Sequence, residues 1–231
     1  MNIIVNGGTR GIGKEIVLLL AENESNRVIV TGRNKKALKQ LSSLDGSGNI
    51  ITYSIDLASF DEQEKDFRKS VVSCFKHVDI LINTAGSLIT KDFMDFTSGE
   101  AREIMETNFI GTAAVIRTLK PLMTRGSHIV NIASMGGFQG SSKYRGLSYY
   151  SASKAALACL SECLSVEFRE AGIVVNCLAL GSVRTEMFRK AFPGLKAPVT
   201  AREMAELIVD FAIRGKKFYN GKVIPVAFSN P

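Results

Sequence analysis

The chain has 231 residues, 45% of them hydrophobic, which is enough to bury a substantial core in one large domain or two small ones. Its formal net charge is +7, but the basic residues are scattered, so an ordinary basic surface is a better interpretation than a nucleic-acid interface. The longest purely apolar run, residues 16–21, is far too short to span a bilayer. Because Met1 leads directly into a strand-like segment, we also expect no signal peptide.

Cysteine and histidine residues are few, and their spacing argues against a metal site. The chain has four cysteines, none of them in a C-x-x-C pair, and two histidines. This supply is poor for a zinc centre. Scattered cysteines are typical of reduced side chains that pack in the interior, and we therefore expect a cytoplasmic protein without a metal or a membrane partner.

Short β-branched runs alternate with longer amphipathic stretches along the chain. The runs are continuously apolar, which predicts strands buried on both faces of a sheet. Their alternation with helices predicts right-handed parallel crossovers. No linker divides the sequence, so we predict one α/β domain, residues 1–231, with a doubly wound parallel sheet of about seven strands and helices on both faces. The predicted strands are 2–6, 27–31, 49–55, 78–83, 128–134, 173–180 and 222–228, and the predicted helices are 11–22, 34–43, 59–75, 99–124, 151–171 and 201–214.

A glycine-rich turn, NGGTRGIG, follows the first predicted strand and opens the first predicted helix. Gly7, Gly11 and Gly13 have the spacing G-x-x-x-G-x-G. Glycine lets the backbone approach a pyrophosphate closely, and the N-terminus of a helix offers N–H groups to an anion. Because the pattern lies between a strand and a helix, it favours a dinucleotide site over a plain tight turn.

The end of the second predicted strand indicates which dinucleotide is bound. A site for NAD usually has Asp or Glu at this place, whereas this chain has Gly32 and Arg33, with Arg10 inside the glycine turn. Two guanidinium groups suit a 2′-phosphate, so we expect NADP(H) in preference to NAD(H); the alternative is two solvated surface arginines. Asp56, after the third strand, is expected to accept a hydrogen bond from the adenine, to cap the next helix, or to do both.

Further along the chain, several segments occur in the order and rough spacing of a known family. They are NGGTRGIG (6–13), NTAG (83–86), Ser134, YSASK (150–154) and LGSVRTEM (180–187). With these segments the chain resembles the short-chain dehydrogenase/reductase family, in its compact single-domain form, over nearly the whole length. Within the family it is most similar to 3-oxoacyl-carrier-protein reductases. The resemblance implies a Rossmann-like fold and an NADP(H)-dependent oxidoreductase that acts on a carbonyl or a secondary alcohol.

The resemblance also implies roles for individual residues. Tyr150 would be the acid/base, Lys154 its partner and a ligand of the ribose, Ser134 the group that orients the substrate oxygen, and Asn108 a member of the proton relay. The implied cofactor contacts are Gly7, Thr9, Arg10, Gly11, Ile12, Gly13, Arg33, Asp56, Leu57, Asn83, Ala85, Gly86, Gly181, Val183 and Thr185, together with Tyr150 and Lys154.

Helical geometry selects Tyr150 over its neighbour Tyr149 for the acid/base role. A ketone that accepts a hydride becomes an alkoxide that needs a proton, and a free tyrosine with a pKa of about 10 is poorly suited to acid–base work at neutral pH. A nearby ammonium lowers the pKa of a phenol. Tyr150 and Lys154 lie about 40° apart on one helix face, whereas Tyr149 lies about 140° from Lys154. We expect Tyr149 to face packing or the loop at 143–145.

Three features of the sequence concern the substrate and the partners. Lys143, Tyr144 and Arg145 lie in the loop before Tyr150, where they either flank the substrate entrance and favour a polar or anionic substrate or are ordinary exposed residues. The segment from 185 to 200, where the family has its lid, is short. Helices 99–124 and 151–171 are expected to pair with a second copy in a homodimer or homotetramer.

We expect a small-molecule carbonyl or alcohol substrate, free or bound to an acyl carrier, and no nucleic-acid partner. A rival hypothesis is a dinucleotide-sensing regulatory or scaffold protein that has little turnover. The intact set of Ser134, Tyr150, Lys154 and Asn108 argues against this rival.

Overall fold

The structure is a computed structural model that describes residues 1–44 and 48–228, so residues 45–47 and 229–231 of the predicted domain lie outside the described residues. The strands are β1 (Asn2–Asn6), β2 (Arg27–Gly32), β3 (Ile50–Ser54), β4 (Val78–Asn83), β5 (Met123–Ser134), β6 (Val174–Leu180), β7 (Val183–Arg184), β8 (Val199–Thr200) and β9 (Val223–Val226). The α-helices are α1 (Gly11–Ala21), α2 (Lys35–Leu44), α3 (Phe60–Cys74), α4 (Ser98–Met105), α5 (Gly111–Leu119), α6 (Ser148–Glu167), α7 (Glu186–Ala191) and α8 (Ala201–Arg214).

Seven strands form one parallel sheet in the order β3-β2-β1-β4-β5-β6-β9, which confirms the predicted doubly wound fold. The order of the strands reverses at β1 and β4, and open parallel sheets bind their ligands beyond the carboxyl ends of the strands at such a point. The register brings Asn6, the last residue of β1, beside Thr31 of β2 and Asn83 of β4. The candidate site is therefore expected where these three strands end.

Helices cover both faces of the sheet and create two separate cores. On β1, Ile3 and Val5 belong to one core, together with residues of α1 and α8. Ile4 points the other way and packs in the second core with residues of α3 and α5. Successive side chains of a strand point to opposite faces, so an unbroken apolar run such as 3–5 serves both cores.

The structure corrects the prediction of one long helix at 99–124. The helix α4 ends at Met105, residues 106–110 form a π-helical turn, and α5 runs from Gly111 to Leu119. A short 3₁₀ turn that contains Pro121 follows, and β5 already begins at Met123. The interruption lies at Asn108, one of the predicted site residues, and π turns within helices occur often at functional sites.

Residues 183–200 contain regular structure that the sequence analysis left undescribed. The strands β7 and β8 pair with each other, apart from the main sheet, and α7 lies between them. Thr185 caps α7 because its hydroxyl accepts a hydrogen bond from the backbone N–H of Phe188 at 3.1 Å. This segment folds over the end of the sheet where the candidate site lies.

Among the described residues, none of the helices is both long enough and apolar enough to cross a bilayer. Across the same residues, no cluster of three or more His, Cys, Asp or Glu side chains is arranged to hold a metal ion.

Candidate active site

Two adjoining cavities lie beyond the carboxyl ends of the central strands. The first has a volume of about 380 Å³ and the second about 230 Å³, and they share wall residues such as Ile12 and Gly86. The predicted residues that line the first are Gly7, Thr9, Arg10, Gly11, Ile12, Gly13, Arg33, Asp56, Leu57, Ala85, Gly86 and Thr185. Those that line the second are Ile12, Gly86, Ser134, Tyr150, Lys154, Gly181, Val183 and Thr185. Asn83 and Asn108 lie fully buried behind these walls.

The glycine turn is packed so closely that side chains are excluded from it. A Cβ atom at Gly7, whose φ is +95°, would lie 2.4 Å from the backbone nitrogen of Ala85. A Cβ atom at Gly13 would lie 2.3 Å from the carbonyl oxygen of Gly7. These glycines therefore bring the backbone of β1, the 84–86 loop and α1 together at the wall of the first cavity.

The N-terminus of α1 faces this cavity in a form that suits an anion. Among the described residues, no side chain caps α1, and its first turn holds no acidic side chain. The first N–H groups of a helix lack partners within it, and the helix dipole places partial positive charge there. The turn and the helix end therefore fit the pyrophosphate of a dinucleotide.

The two arginines predicted to bind a 2′-phosphate lie at the wall of the first cavity. Arg10 lies 3.6 Å from a carboxylate oxygen of Glu186, and Arg33 lies 3.8 Å from one of Asp56. Both arginine side chains are about half exposed, so these long ion pairs are weak. Neither guanidinium is tied firmly enough to prevent it from turning to a phosphate.

Asp56 caps a turn, as one of its two predicted roles requires. Its carboxylate accepts a hydrogen bond from the backbone N–H of Ala58 at 3.1 Å. The contact with adenine stays a prediction. Asn34, which the sequence analysis missed, lines the same cavity and caps α2 by accepting a hydrogen bond from Ala37 at 3.0 Å. An asparagine at the first position of a predicted helix was the signal that could have identified it.

Thr107 is a second residue that the sequence analysis missed. It lines the first cavity, its side chain is buried, and within the described residues its hydroxyl has no hydrogen-bond partner. A buried hydroxyl without a partner is unfavourable, and such groups commonly bind a ligand or a water molecule. Its place beside Asn108 in a helical segment was the available signal, although a threonine at that place is also common in ordinary helices.

The hydroxyl groups of Ser134 and Tyr150 converge on the second cavity. Ser134 ends β5, and its hydroxyl accepts a hydrogen bond from the backbone N–H of Gly136 at 3.2 Å. Burial raises the pKa of Tyr150 above its usual value, and a side-chain hydrogen bond with Ser134 acts in the opposite direction. The raised pKa differs from the expectation that Lys154 would lower it, because the removal of the phenol from water outweighs the other effects.

Lys154 lies one helical turn after Tyr150 and lines the same cavity. Its side chain is only 3% exposed, and its ammonium donates a hydrogen bond to the carbonyl oxygen of Ile132 at 2.9 Å. Burial lowers the pKa of Lys154 to about 8. The ammonium is therefore mostly protonated at neutral pH, and it is held by the end of β5 that also carries Ser134.

Asn108 connects the interrupted helix to the two neighbouring segments of the site. Its amide oxygen accepts a hydrogen bond from the backbone N–H of Ser87 at 2.6 Å, and its amide nitrogen donates to Ser87 O at 2.9 Å and to Ser153 Oγ at 3.0 Å. Ser153 in turn donates to the carbonyl oxygen of Tyr150 at 2.7 Å. Asn108 thus positions the first turn of α6, and its part in a proton relay stays a prediction.

A chain of buried polar side chains runs through the sheet beneath both cavities. Thr31 donates to Asn6 at 2.8 Å, Asn6 to Asn83 at 3.2 Å, Asn83 to Asn131 at 2.8 Å and Asn131 to Ser161 at 2.9 Å. We call these five residues the asparagine ladder. It joins four strands to α6, and of its members only Asn83 was predicted as a site residue.

The charged residues of the 143–145 loop face away from the second cavity. Lys143 donates to the carbonyl oxygen of Phe138 at 2.7 Å, and Arg145 Nε donates to Asp92 at 2.8 Å. Both line a separate surface groove, whereas Tyr144 lines that groove and the second cavity. Tyr149 packs against the rings of Phe93 and Phe96, with centroids 5.7 and 4.9 Å away, which confirms that it faces packing and not Lys154.

Comparisons with known proteins agree with this geometry. The family model of the short chain dehydrogenase matches residues 1–196. An uncharacterised oxidoreductase of Staphylococcus aureus (strain N315) is 28% identical over 225 residues, which cover 96% of this chain and 95% of that protein.

Two solved structures extend the comparison. One, provisionally described as a betaketoacyl-ACP reductase, has a TM-score of 0.81 and 26% identity and covers 98% of this chain and 96% of that chain. Another, provisionally described as a short chain dehydrogenase of Shigella flexneri and complexed with NADP, has a TM-score of 0.88 and 24% identity, with coverage of 97% and 95%.

Proposed function

The chain belongs to the short-chain dehydrogenase family, and from this premise we propose that it is an NADP(H)-dependent oxidoreductase that interconverts a carbonyl compound and a secondary alcohol. The observation that carries the proposal is the convergence of the Ser134 and Tyr150 hydroxyls on a cavity that adjoins the glycine turn. A bound nicotinamide dinucleotide would supply or accept the hydride, since no side chain of the protein can do so.

Tyr150 is proposed to move the proton. In the reducing direction, the developing negative charge on the substrate oxygen needs a donor, and a phenol with a raised pKa is protonated at neutral pH, so the proton to be donated is present. The Ser134 hydroxyl lies beside it and holds the same oxygen in place by a second hydrogen bond. The two hydroxyls together orient the carbonyl group and stabilise its charge.

Lys154 is proposed to stabilise the phenolate that Tyr150 becomes after it has donated its proton. A buried ammonium close to an anion acts through a low effective dielectric constant and is therefore more effective than one in water. Its hydrogen bond to Ile132 fixes its position. Because its pKa is about 8, this cation is lost in mildly alkaline solution, and we expect the rate of reduction to fall as the pH rises through that value.

Several residues are proposed to bind the cofactor through the contacts that the geometry offers. The glycine turn and the end of α1 would hold the pyrophosphate, Arg10 and Arg33 the 2′-phosphate, and the unpartnered hydroxyl of Thr107 a polar atom within the first cavity. Preference for NADP(H) over NAD(H) rests on the two arginines.

A carrier-bound 3-oxoacyl thioester is a second candidate substrate. It is favoured by the solved structure that is provisionally described as a betaketoacyl-ACP reductase.

The free thiols of all four cysteines agree with a proposed location in the reducing cytoplasm.

The test is the oxidation of NADPH by the purified protein in the presence of a panel of ketones that includes acetoacetyl thioesters. Tyr150→Phe should lower kcat by about a hundredfold or more, because it removes the proton donor and leaves the ring in place. The dissociation constant of NADPH should change little. Tyr149→Phe is the matched control and should retain the rate, because that ring packs away from the cavity.

Two results would contradict the proposal. Full activity of Tyr150→Phe would remove Tyr150 from the acid/base role. Tight binding of NADPH without oxidation by any member of the panel would favour the rival hypothesis of a dinucleotide sensor.

A further inference from the structure

The wall of the second cavity that lies around the Ser134 and Tyr150 hydroxyls is apolar. It is formed by Leu88, Met135, Leu147, Met187, Phe188 and Phe192. Among the described residues that line this cavity, Lys154 is the only one with a charged side chain. That ammonium is 3% exposed and already donates to Ile132, so it offers little to a second anionic group of a substrate.

Aromatic contacts join the two segments that enclose this cavity. The ring of Phe192, which follows α7, lies 5.2 Å from the ring of Phe188 and 5.7 Å from that of Tyr144 in the 135–147 loop. Pairs of rings at such distances are favourable beyond the area that they bury. Leu195, also in the wall, is 63% exposed and extends the apolar surface toward solvent.

The volume of the cavity limits the size of a substrate. Its 230 Å³ is shared with the end of the cofactor site, because Ile12, Gly86 and Thr185 line both cavities. The space that remains beside the two hydroxyls is therefore smaller than this value. A compact molecule fits there, whereas a larger one would meet the contacting rings of Tyr144 and Phe192 in the wall.

The cationic side chains of the 143–145 loop do not line the second cavity, so they offer no partner to an anionic substrate there. Arg145 pairs with Asp92, and Lys143 is bonded to Phe138 O and Ser141 Oγ in the separate groove. A carboxylate that entered the second cavity would lose its hydration and, among the described lining residues, would meet hydroxyl groups but no cation other than Lys154, and such burial is costly. The sequence-based hypothesis of an anionic substrate selected by Lys143 and Arg145 is therefore disfavoured.

We propose that the substrate is a compact, uncharged, apolar ketone, or the corresponding secondary alcohol, and that Phe192 and Tyr144 determine its maximum size. This inference rests on the proposed function. In the reducing direction a bound reduced dinucleotide would supply the hydride to the carbonyl carbon and would itself be oxidised. As the C=O π bond breaks, the oxygen gains the Tyr150 proton, which solvent then restores.

The experiment compares kcat/KM, at saturating NADPH, for acetophenone and cyclohexanone with the values for acetoacetate and 2-oxobutyrate. The uncharged ketones should exceed the anions by at least about tenfold, because a desolvated carboxylate finds no cation other than Lys154 among the described lining residues. Phe192→Ala should raise kcat/KM for 2-acetylnaphthalene relative to acetophenone by about tenfold, mainly through KM. Phe192→Leu, which keeps an apolar side chain, should show a smaller change in the same direction. Lys143→Gln and Arg145→Gln are controls that should leave all four rates unchanged.

The outcomes separate this inference from the proposed function. Reduction of anionic ketones or of acetoacetyl thioesters at equal or higher kcat/KM would overturn the inference and leave the oxidoreductase in place. Loss of activity in Lys143→Gln or Arg145→Gln would also overturn the inference and leave the oxidoreductase in place. If NADPH binds and none of the ketones is reduced, both the proposed function and the inference fail. Both Phe192 variants could have the melting temperature of the unsubstituted protein and the same ratio of kcat/KM for 2-acetylnaphthalene and acetophenone. In that case the assignment of size selection to Phe192 is wrong.

Discussion

Arg33 is the residue on which the proposed preference for NADP(H) depends most directly. Its guanidinium is 53% exposed and pairs with Asp56 only at 3.8 Å, so it can turn toward a phosphate at small cost. Arg10 approaches the same cavity from the glycine turn, with Glu186 as its neighbour. A phosphate accepts bidentate hydrogen bonds from Arg. Such bonds would be shorter than the present ion pairs of Arg10 with Glu186 and of Arg33 with Asp56.

Arg33→Gln should raise the dissociation constant of NADPH by about 10- to 100-fold, which is the expected loss of one charge-assisted hydrogen-bonded pair. The dissociation constant of NADH should stay within about twofold, since NADH lacks the 2′-phosphate. Arg117→Gln removes the same charge from an exposed site on α5 and should affect neither cofactor. Fluorescence titration gives all six dissociation constants, and tighter binding of NADH than of NADPH to the unsubstituted protein would show that the assignment of Arg10 and Arg33 is wrong.

His128 is a buried residue whose protonation should control stability in acid. Its ring is fully buried; Nδ1 lies 2.9 Å from Ala212 O, and Nε2 lies 3.0 Å from the side-chain amide nitrogen of Asn176. Nδ1 therefore carries the proton and donates, and Nε2 accepts from the amide. A second proton on Nε2 would face a donor, and burial already lowers the pKa of His128 to about 4.

The free energy of unfolding should therefore fall as the pH decreases from about 6.5 toward 4. In this interval the unfolded chain binds a proton at His128 and the folded protein does not. The resulting loss of unfolding free energy approaches ~3 kcal/mol near pH 4. Urea denaturation at several pH values measures the slope. His128→Asn should flatten the slope between pH 6.5 and 4.5, whereas replacement of the exposed His77 by Gln should leave most of it. An unchanged slope in His128→Asn would contradict the assignment.

At the scale of elements, the asparagine ladder holds the strand ends in register beneath the site. Each amide accepts from the preceding member and donates to the next, so the chain from Thr31 to Ser161 runs in one direction. Asn6, Asn83 and Asn131 are at most 1% exposed. A buried network that is fully hydrogen-bonded specifies one arrangement, and the loss of one member leaves its neighbours unpaired.

Asn131→Ala should lower the free energy of unfolding by about 2–4 kcal/mol, because it leaves the buried amide nitrogen of Asn83 without an acceptor and removes the donor to Ser161, whose hydroxyl keeps only its bond to Leu157 O. Its effect should be non-additive with that of Asn6→Ala, since both residues bond Asn83. Asn26→Ala is the control, because Asn26 lies at the opposite end of the sheet and bonds Leu20 instead. Additive effects of Asn131→Ala and Asn6→Ala in chemical denaturation would show that the ladder does not act as a unit.

The interrupted helix α4–α5 shows why an element can be misjudged from the sequence. Residues 99–124 read as one continuous helix, because hydrophobic periodicity reports only which face is buried. The break is caused by the backbone of Ser87, which bonds the Asn108 side chain from a loop 21 residues earlier in the chain. No local pattern encodes such a bond.

At the scale of the whole molecule, the outer face of α6 is the surface on which we expect a second copy of the chain to pack. Its exposed positions include Ala152, Ala155, Cys159, Cys163 and Val166, which recur at helical spacing and are small or apolar. The helix was expected from the sequence to form part of a homodimer or homotetramer interface together with residues 99–124. The exposed Glu162 and Glu167 border this stripe, and an exposed helix face with so many small or apolar side chains is unusual in a monomer.

Val166→Glu should reduce the mass measured by light scattering at micromolar concentration from that of an oligomer to that of a smaller species. The charge would be buried between two copies, where it has no partner. Val72→Glu on α3 is a matched control, since Val72 is 53% exposed and Val166 60%, and it should leave the mass unchanged. A monomeric mass for the unsubstituted protein would contradict the expected oligomer.

The sequence by itself determined the strands of the main sheet, the glycine turn and which of the two tyrosines shares a helix face with Lys154. Each of these follows from spacing within a short segment. Apolar runs predict buried strands, Gly7 and Gly13 lie where side chains have no room, and Lys154 shares a helix face only with the tyrosine four residues before it.

Only the tertiary structure decided which groups Lys143 and Arg145 contact, whether Thr107 is buried, and whether the pKa of Tyr150 is raised or lowered. Arg145 pairs with Asp92 from another loop, and Tyr150 is removed from water by segments far away in the sequence. Charge partners and desolvation depend on which distant segments the fold brings together, and they set both the electrostatics of the candidate site and the apolar character of the second cavity.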